Sequence, residues 1–184
     1  MRILFILAIA ILAGCATKYD RLRNYAGADS GTVIVTLGQT NENYMNYSSI
    51  WFKSKEAEDL GAFQYDPKSL LDSSPKDFAD SKGAVTFIAQ KLPPGEYEIT
   101  GFSSGSDYGT SSVTYRNRST VAIPFSVKAG EVSYLGQYLV GLQLVDSRPV
   151  SATLEITDEG QRDFKGSKTV TPVSATVRRY LPTP

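Results

Sequence analysis

The sequence has no histidine among its 184 residues and a single cysteine, Cys15. Without an imidazole, a Ser-His-Asp or Cys-His nucleophile has no general base, and the histidine ligands of most zinc sites are missing as well. A lone cysteine excludes a disulfide within the chain. Charge of one sign is lacking too, with 19 Lys plus Arg against 19 Asp plus Glu. Arg178-Arg179, distant in sequence from Arg116 and Arg118, makes too sparse a cationic set for a nucleic-acid surface. Glycine loops that cradle phosphate are absent. Helical texture rich in Ala, Glu, Lys and Leu is scarce, whereas Val, Thr and Tyr abound, so the chain is expected to be mostly β. No cofactor, no metal and no nucleic-acid partner are expected.

An apolar run long enough to span a bilayer is also missing. Ile3 to Ile11 is uninterrupted and apolar, but polar chain begins at Thr17 and Lys18, well short of the roughly 20 residues a spanning helix needs. With Arg2 as a short positive region in front, residues 1 to 14 read as a signal peptide. Leu12-Ala13-Gly14-Cys15 follows it, with small side chains directly before the cysteine. This block resembles the lipobox of bacterial lipoproteins. The resemblance implies cleavage before Cys15, acylation of its sulfur and amine, and a membrane-lipid partner through those acyl chains. Ala16, where aspartate commonly signals retention in the inner membrane, implies an outer-membrane anchor in the cell envelope facing the periplasm. Loss of residues 1 to 14 removes Arg2 alone and leaves 18 basic against 19 acidic residues.

Residues 15 to 30 have few apolar positions and read as the lipidated N-terminus and a tether, about 20 Å across as a flexible coil. Tyr19, Leu22 and Tyr25 also fit a short helix lying on the domain. The domain itself is expected over 31–168, with a polar, Pro-punctuated tail over 169–184. Period-two alternation marks strands at Val33 to Leu37, Val85 to Ala89, Tyr97 to Ile99, Val121 to Val127 and Val150 to Ile156, and Tyr47 to Lys53 and Val132 to Val145 are further strands. Gly61 to Tyr65 is a further short candidate, and Pro75 to Ala79 fits one helical turn. Val132 to Val145 is apolar on both faces, as in a central strand, with bends at Gly136 and Gly141. Pro124 lacks an amide proton, which places its strand at an edge or a bulge. Leu92-Pro93-Pro94-Gly95 and Lys128-Ala129-Gly130-Glu131 read as hairpin turns, Ser103 to Ser112 as a Ser/Gly-rich loop, and Asp158 as the cap of a short helix reaching about Ser167. The expected fold is all-β: an antiparallel β-sandwich of about seven strands with a short C-terminal helix.

Two stretches carry a second resemblance. LPPGEYEITGF (Leu92 to Phe102) and IPFSVKAGEVSYLGQ (Ile123 to Gln137) resemble the paired hairpins of bacterial lipoproteins with a prealbumin-like or carboxypeptidase-regulatory-like sandwich. Thr157 to Phe164 resembles the short helix after the last strand of such proteins. The family implies fold and compartment and no chemistry.

Candidate catalytic groups do not assemble into a mechanism. Gly101-Phe102-Ser103-Ser104-Gly105 matches the pattern of a serine-hydrolase elbow, yet loop texture follows it where a helix must open, and no histidine can take the serine proton. Glu56, Glu58 and Asp59 lack the spacing of a calcium loop. Glu96 and Glu98 share one strand face and read as hydrated rather than as a glycosidase pair. A non-enzymatic module is therefore expected, binding or assembling with an envelope protein or a glycan. The aromatic residues Tyr44, Tyr47 and Trp51, with Phe63 nearby, are the candidate ligand-binding set, since exposed rings stack on sugars. The competing reading has Trp51 filling the core and the tyrosines sealing its rim.

Overall fold

The computed structural model describes residues 22–23, 25–40, 46–65, 77–107, 112–117, 121–146, 148–166 and 176–181. Among them are eleven strands: β1 Gly31–Gln39, β2 Asn46–Ser54, β3 Leu60–Tyr65, β4 Phe78–Asp80, β5 Gly83–Leu92, β6 Gly95–Asp107, β7 Ser112–Arg116, β8 Ile123–Val127, β9 Val132–Val145, β10 Arg148–Thr157 and β11 Val177–Arg179. Leu22 and Arg23 are helical, and a short helix, α1, covers Gly160–Gly166. Asp158 caps it, its Oδ1 accepting from the Gly160 amide at 3.0 Å.

The strands form two sheets. The first has the order β10-β9-β1-β5-β4, with β11 also on β9; the second has the order β3-β2-β6-β7, with β8 also on β6. The long strands β6 and β9 are the two spines. β8 pairs with Gly95 to Ile99 of β6 and β7 with Ser103 to Asp107. On β9, β11 takes Val132 to Tyr134 and β10 takes Gln137 to Val145.

Between the sheets lies one apolar core. Val33, Val35 and Leu37 of β1 and Leu135, Tyr138 and Val140 of β9 face Ile50 and Phe52 of β2, Tyr97 and Ile99 of β6 and Phe125 of β8. Its aromatic centre is Phe52, stacked on Phe63 at 4.7 Å and meeting Tyr97 and Phe125 edge-on at 6.1 Å. These offset and edge geometries match the charge distribution of the rings. The outer face of β1 is closed as well. Ile34 and Tyr134 are buried there, with Phe164 of α1 packed against them.

Several sequence expectations need correcting. Strand number is higher than seven, and while the second sheet is antiparallel throughout, the first is mixed, because β1 and β11 both run parallel to β9. Neither expected hairpin forms. β5 belongs to the first sheet and β6 to the second; likewise β8 pairs with β6 and β9 with β1 and β10. Leu92-Pro93-Pro94-Gly95 and the Lys128 to Glu131 turn are therefore arches that carry the chain across the core. The second arch is tied to the start of β1, since Gly130 N donates to Ser30 O and Thr32 N to Glu131 O.

The Ser/Gly-rich stretch from Ser103 is strand as far as Asp107, and Phe78–Asp80, overlapping the expected helical turn, is an edge strand on β5. The stretch read as tether contains Leu22, which is 2% exposed within the core and whose carbonyl accepts from Gln90 Nε2 at 3.0 Å. Within the stretch read as tail, β11 completes the first sheet, and Arg178 Nε donates to Glu131 Oε2 at 2.6 Å. The Tyr180 hydroxyl is bonded to that of Ser126. Gly136 sits, at φ +95°, where the β1–β9 register shifts, a conformation that favours glycine. Pro124 pairs with Glu98 on β6, and among the described residues β8 has no second strand partner.

Candidate functional site

β2 sorts its side chains by the pleat. Ser48, Ile50 and Phe52 point inward and are 0% exposed, while Tyr47, Trp51 and Lys53 take the outer face of the second sheet. On that face, Tyr47 lies opposite Gly105 and Trp51 opposite Gly101 of β6, with Ser49 and Ser103 paired between them. One strand further, Gly105 pairs with Thr114 and Ser103 with Arg116 of β7. The topology thus gathers two aromatic rings, a cation and a row of hydroxyls from three strands.

The two β6 glycines make this gathering possible. Without side chains at 101 and 105, long groups from β2 can cross the β6 backbone. A Cβ at Gly105 would come within 2.6 Å of the Tyr47 hydroxyl, and one at Gly101 within 2.7 Å of Asn117 Oδ1. Across the first gap the Tyr47 hydroxyl reaches Thr114 Oγ1 and bonds it. Trp51 Nε1 donates to Ser103 Oγ at 3.0 Å, which fixes the indole. Arg116 is exposed, with its guanidinium carbon 5.7 Å from the centroid of the Trp51 ring. That distance suits attraction between a cation and an aromatic face. On the other flank, small Ala62 of β3 lies opposite Trp51 and exposed Gln64 opposite Ser49. The result is a low surface in which Trp51 and Tyr47 are half-buried, with Ser49 and Ser103 buried beneath them.

Of the residues singled out from sequence, Tyr47 and Trp51 are brought to this one face, whereas Tyr44 and Cys15 lie outside the described residues. Trp51 does not fill the core. Phe63 does, stacked on Phe52. Ser103 stands in the middle of β6, 2% exposed, and its hydroxyl accepts the Trp51 indole proton. Strand rather than helix follows it. Asp59 is buried, its backbone carbonyl accepting from Ser54 N at 2.8 Å, and no group of three or more potential metal ligands occurs among the described residues. Glu98 pairs with Lys53 at 3.6 Å. Thr114 and Arg116 were not foreseen. The alternation of Val113 and Tyr115 with Thr114 and Arg116 was the available signal, short enough to be lost beside the Ser/Gly-rich run.

A second concentration of polar groups lies on the opposite side of the molecule. Asp163 of α1 is 0% exposed and accepts from Thr36 at 3.0 Å, Tyr134 at 2.7 Å, and Arg162 Nε and Nη2 at 3.0 and 2.7 Å. Arg162 also donates to Gln137 Oε1 at 2.7 Å and stacks on Phe78 at 4.5 Å beside a cleft of about 330 Å³. Burial, reinforced by the Asp163 bond and charge, pushes the Tyr134 hydroxyl far above its usual range. Each of these groups is engaged with another, and together they fasten α1 to β1 and β9.

Among the described residues no helix is long and apolar enough to cross a membrane. No family model and no curated protein sequence matches the chain. Among solved structures, a leucine-rich repeat protein from Bacteroides thetaiotaomicron is similar over 65% of this chain at 15% identity with a TM-score of 0.36, and the chain spans 14% of that protein's length.

Proposed function

We propose that this protein is a membrane-anchored lipoprotein of the cell envelope, held in the outer membrane by acyl chains on Cys15 and facing the periplasm. Its domain, read as a prealbumin-like β-sandwich, serves as a non-enzymatic binding or assembly module. The anchor reading rests on the apolar run ending in Leu12-Ala13-Gly14-Cys15. More than one acyl chain gives stable rather than transient attachment, at roughly 0.8 kcal/mol per buried methylene. In cells fed labelled palmitate, the wild-type chain should take up label, and Cys15→Ser should stay unlabelled and unprocessed. Equal labelling of both would sink the anchor reading.

A glycan is the ligand class favoured by one observation: Tyr47 and Trp51 share the outer face of the second sheet. Half-buried rings held by hydrogen bonds offer flat apolar area at little cost in side-chain entropy, and the hydroxyls around them suit a polar ring ligand. Binding of the full-length chain in detergent micelles to immobilised envelope polysaccharide should fall at least tenfold on Trp51→Ala. Retained binding by that variant would remove this face from consideration.

A further inference from the structure

We infer that the outer face of the second sheet is built for an acidic glycan, one whose sugar ring lies on Trp51 and Tyr47 while a ring carboxylate pairs with Arg116; this rests on the glycan reading above. Arg116 is the decisive group. It ends β7, an edge strand, and is exposed, and among the described residues no carboxylate lies within ion-pair distance of it. The cations that hold carboxylates lie at other places in the fold or have a partner of their own. Lys53, on the same face, is paired with Glu98, and Arg162, Arg178 and Arg179 each hold a carboxylate elsewhere. An exposed arginine in water gains little by itself. One drawn toward the face of an indole has given up some of its freedom before any ligand arrives, so less remains to be lost when its planar fork meets a carboxylate.

The surroundings fit such a ligand. A carboxylate accepts two parallel N–H bonds from a guanidinium, geometry that a lysine ammonium cannot reproduce. The Arg116 guanidinium carbon lies 5.7 Å from the centroid of the Trp51 ring, so a sugar seated beside it on the indole would bring its charged substituent to the guanidinium. Tyr47 and Thr114, joined through their hydroxyls on the neighbouring row, continue the surface along the strands. The β6 glycines keep side chains of the middle strand from rising between them. A neutral glycan would use the rings and leave the cation idle.

Trp51 is the single tryptophan of the chain, so its emission reports on this face alone. The full-length protein in detergent micelles is titrated with polygalacturonate, with its fully methyl-esterified form, and with neutral cellohexaose, following tryptophan fluorescence. The expected result is a shift with polygalacturonate and at least tenfold weaker binding of the ester, in line with the strength of charge-assisted bonds. Arg116→Gln should abolish that preference and Arg116→Lys restore part of it, with the thermal midpoint of both variants unchanged. Two outcomes overturn the inference. Equal binding of acid and ester, indifferent to Arg116→Gln, leaves the glycan reading standing and removes the acid specificity. No tryptophan response to any of the three sugars removes both.

Discussion

The Tyr134 hydroxyl donates to Asp163 Oδ2 at 2.7 Å, joining the centre of the first sheet to α1 through two side chains that are both 0% exposed. The same hydroxyl accepts from Glu159 N at 3.1 Å, so it also fixes the approach to the helix. Removing the carboxylate strands several donors at once. Asp163→Ala is expected to cost about 3 kcal/mol, the low end for breaking a buried pair because Arg162 can still reach water. Tyr134→Phe should cost about 1–2 kcal/mol. Urea unfolding of the two variants and of the double variant checks this, and strictly additive losses would show the two groups to be uncoupled.

Tyr138 offers the opposite case. Its hydroxyl is buried in the core with no hydrogen-bond partner among the described residues. Deleting it removes a desolvated polar atom and sacrifices no bond. Tyr138→Phe is expected to leave stability unchanged or raise it by up to about 1 kcal/mol. A loss as large as that of Tyr134→Phe, read from the same urea midpoints, would show a bond that the packing does not reveal.

Alkaline pH should unfold the domain through its core tyrosines. Burial, with Asp59 and Glu56 adding to it, raises Tyr97 from the ordinary 10.0 to about 12. Burial pushes Tyr134 and Tyr138 higher still. A raised folded-state value means that the neutral form favours folding fully below pH 10 and that this contribution drains away as pH climbs through the folded value. Stability measured by urea should therefore decline between about pH 10 and pH 12. Phenolate absorbance should show these three of the 11 tyrosines ionising late or together with unfolding. Ionisation of all eleven at the ordinary value in a still-folded protein would contradict the burial.

Gly105 should tolerate no side chain. A Cβ there would stand 2.5 Å from the Val113 carbonyl oxygen and 2.6 Å from the Tyr47 hydroxyl. The first atom is backbone and cannot turn aside. Gly105→Ala is expected to cost about 1–3 kcal/mol by overpacking and to part β7 from β6. Faster amide exchange at Val113 to Tyr115, with exchange in β1 and β9 unchanged, would locate the damage.

The strands were legible in the sequence wherever one face is buried, because alternation at period two needs only local information. Tyr97 to Ile99 and Ile123 to Val127 announce themselves in this way, and the Asp158 cap announces α1. Ser103 to Asp107 did not, since serine and glycine signal a loop until partners appear. In the fold Ser104 meets Ser48 and Gln39 in the interior at 3.2 and 3.3 Å, and Ser103 meets Trp51. Those cross-strand bonds stabilise a strand that intrinsic propensity disfavours.

The sequence by itself determined that the chain is mostly β and that histidine chemistry and a disulfide within the chain are excluded. Tertiary structure alone decided which strands pair. A hairpin and an arch share the same alternation, the same tight turn and the same buried face. They differ only in whether the second strand bonds its predecessor or a strand far away in the chain. For β5 to β6 and β8 to β9 the distant partners prevailed, β1 beside β5 and β9, and β2 and β8 beside β6. β7 simply folds back on its chain neighbour β6, but the distant pairing of β2 with β6 set Trp51 on the other side of that strand, within reach of Arg116. No local pattern encodes such a meeting, because Trp51 and Arg116 are far apart in the chain and become neighbours only when β2 and β7 have taken the two sides of β6.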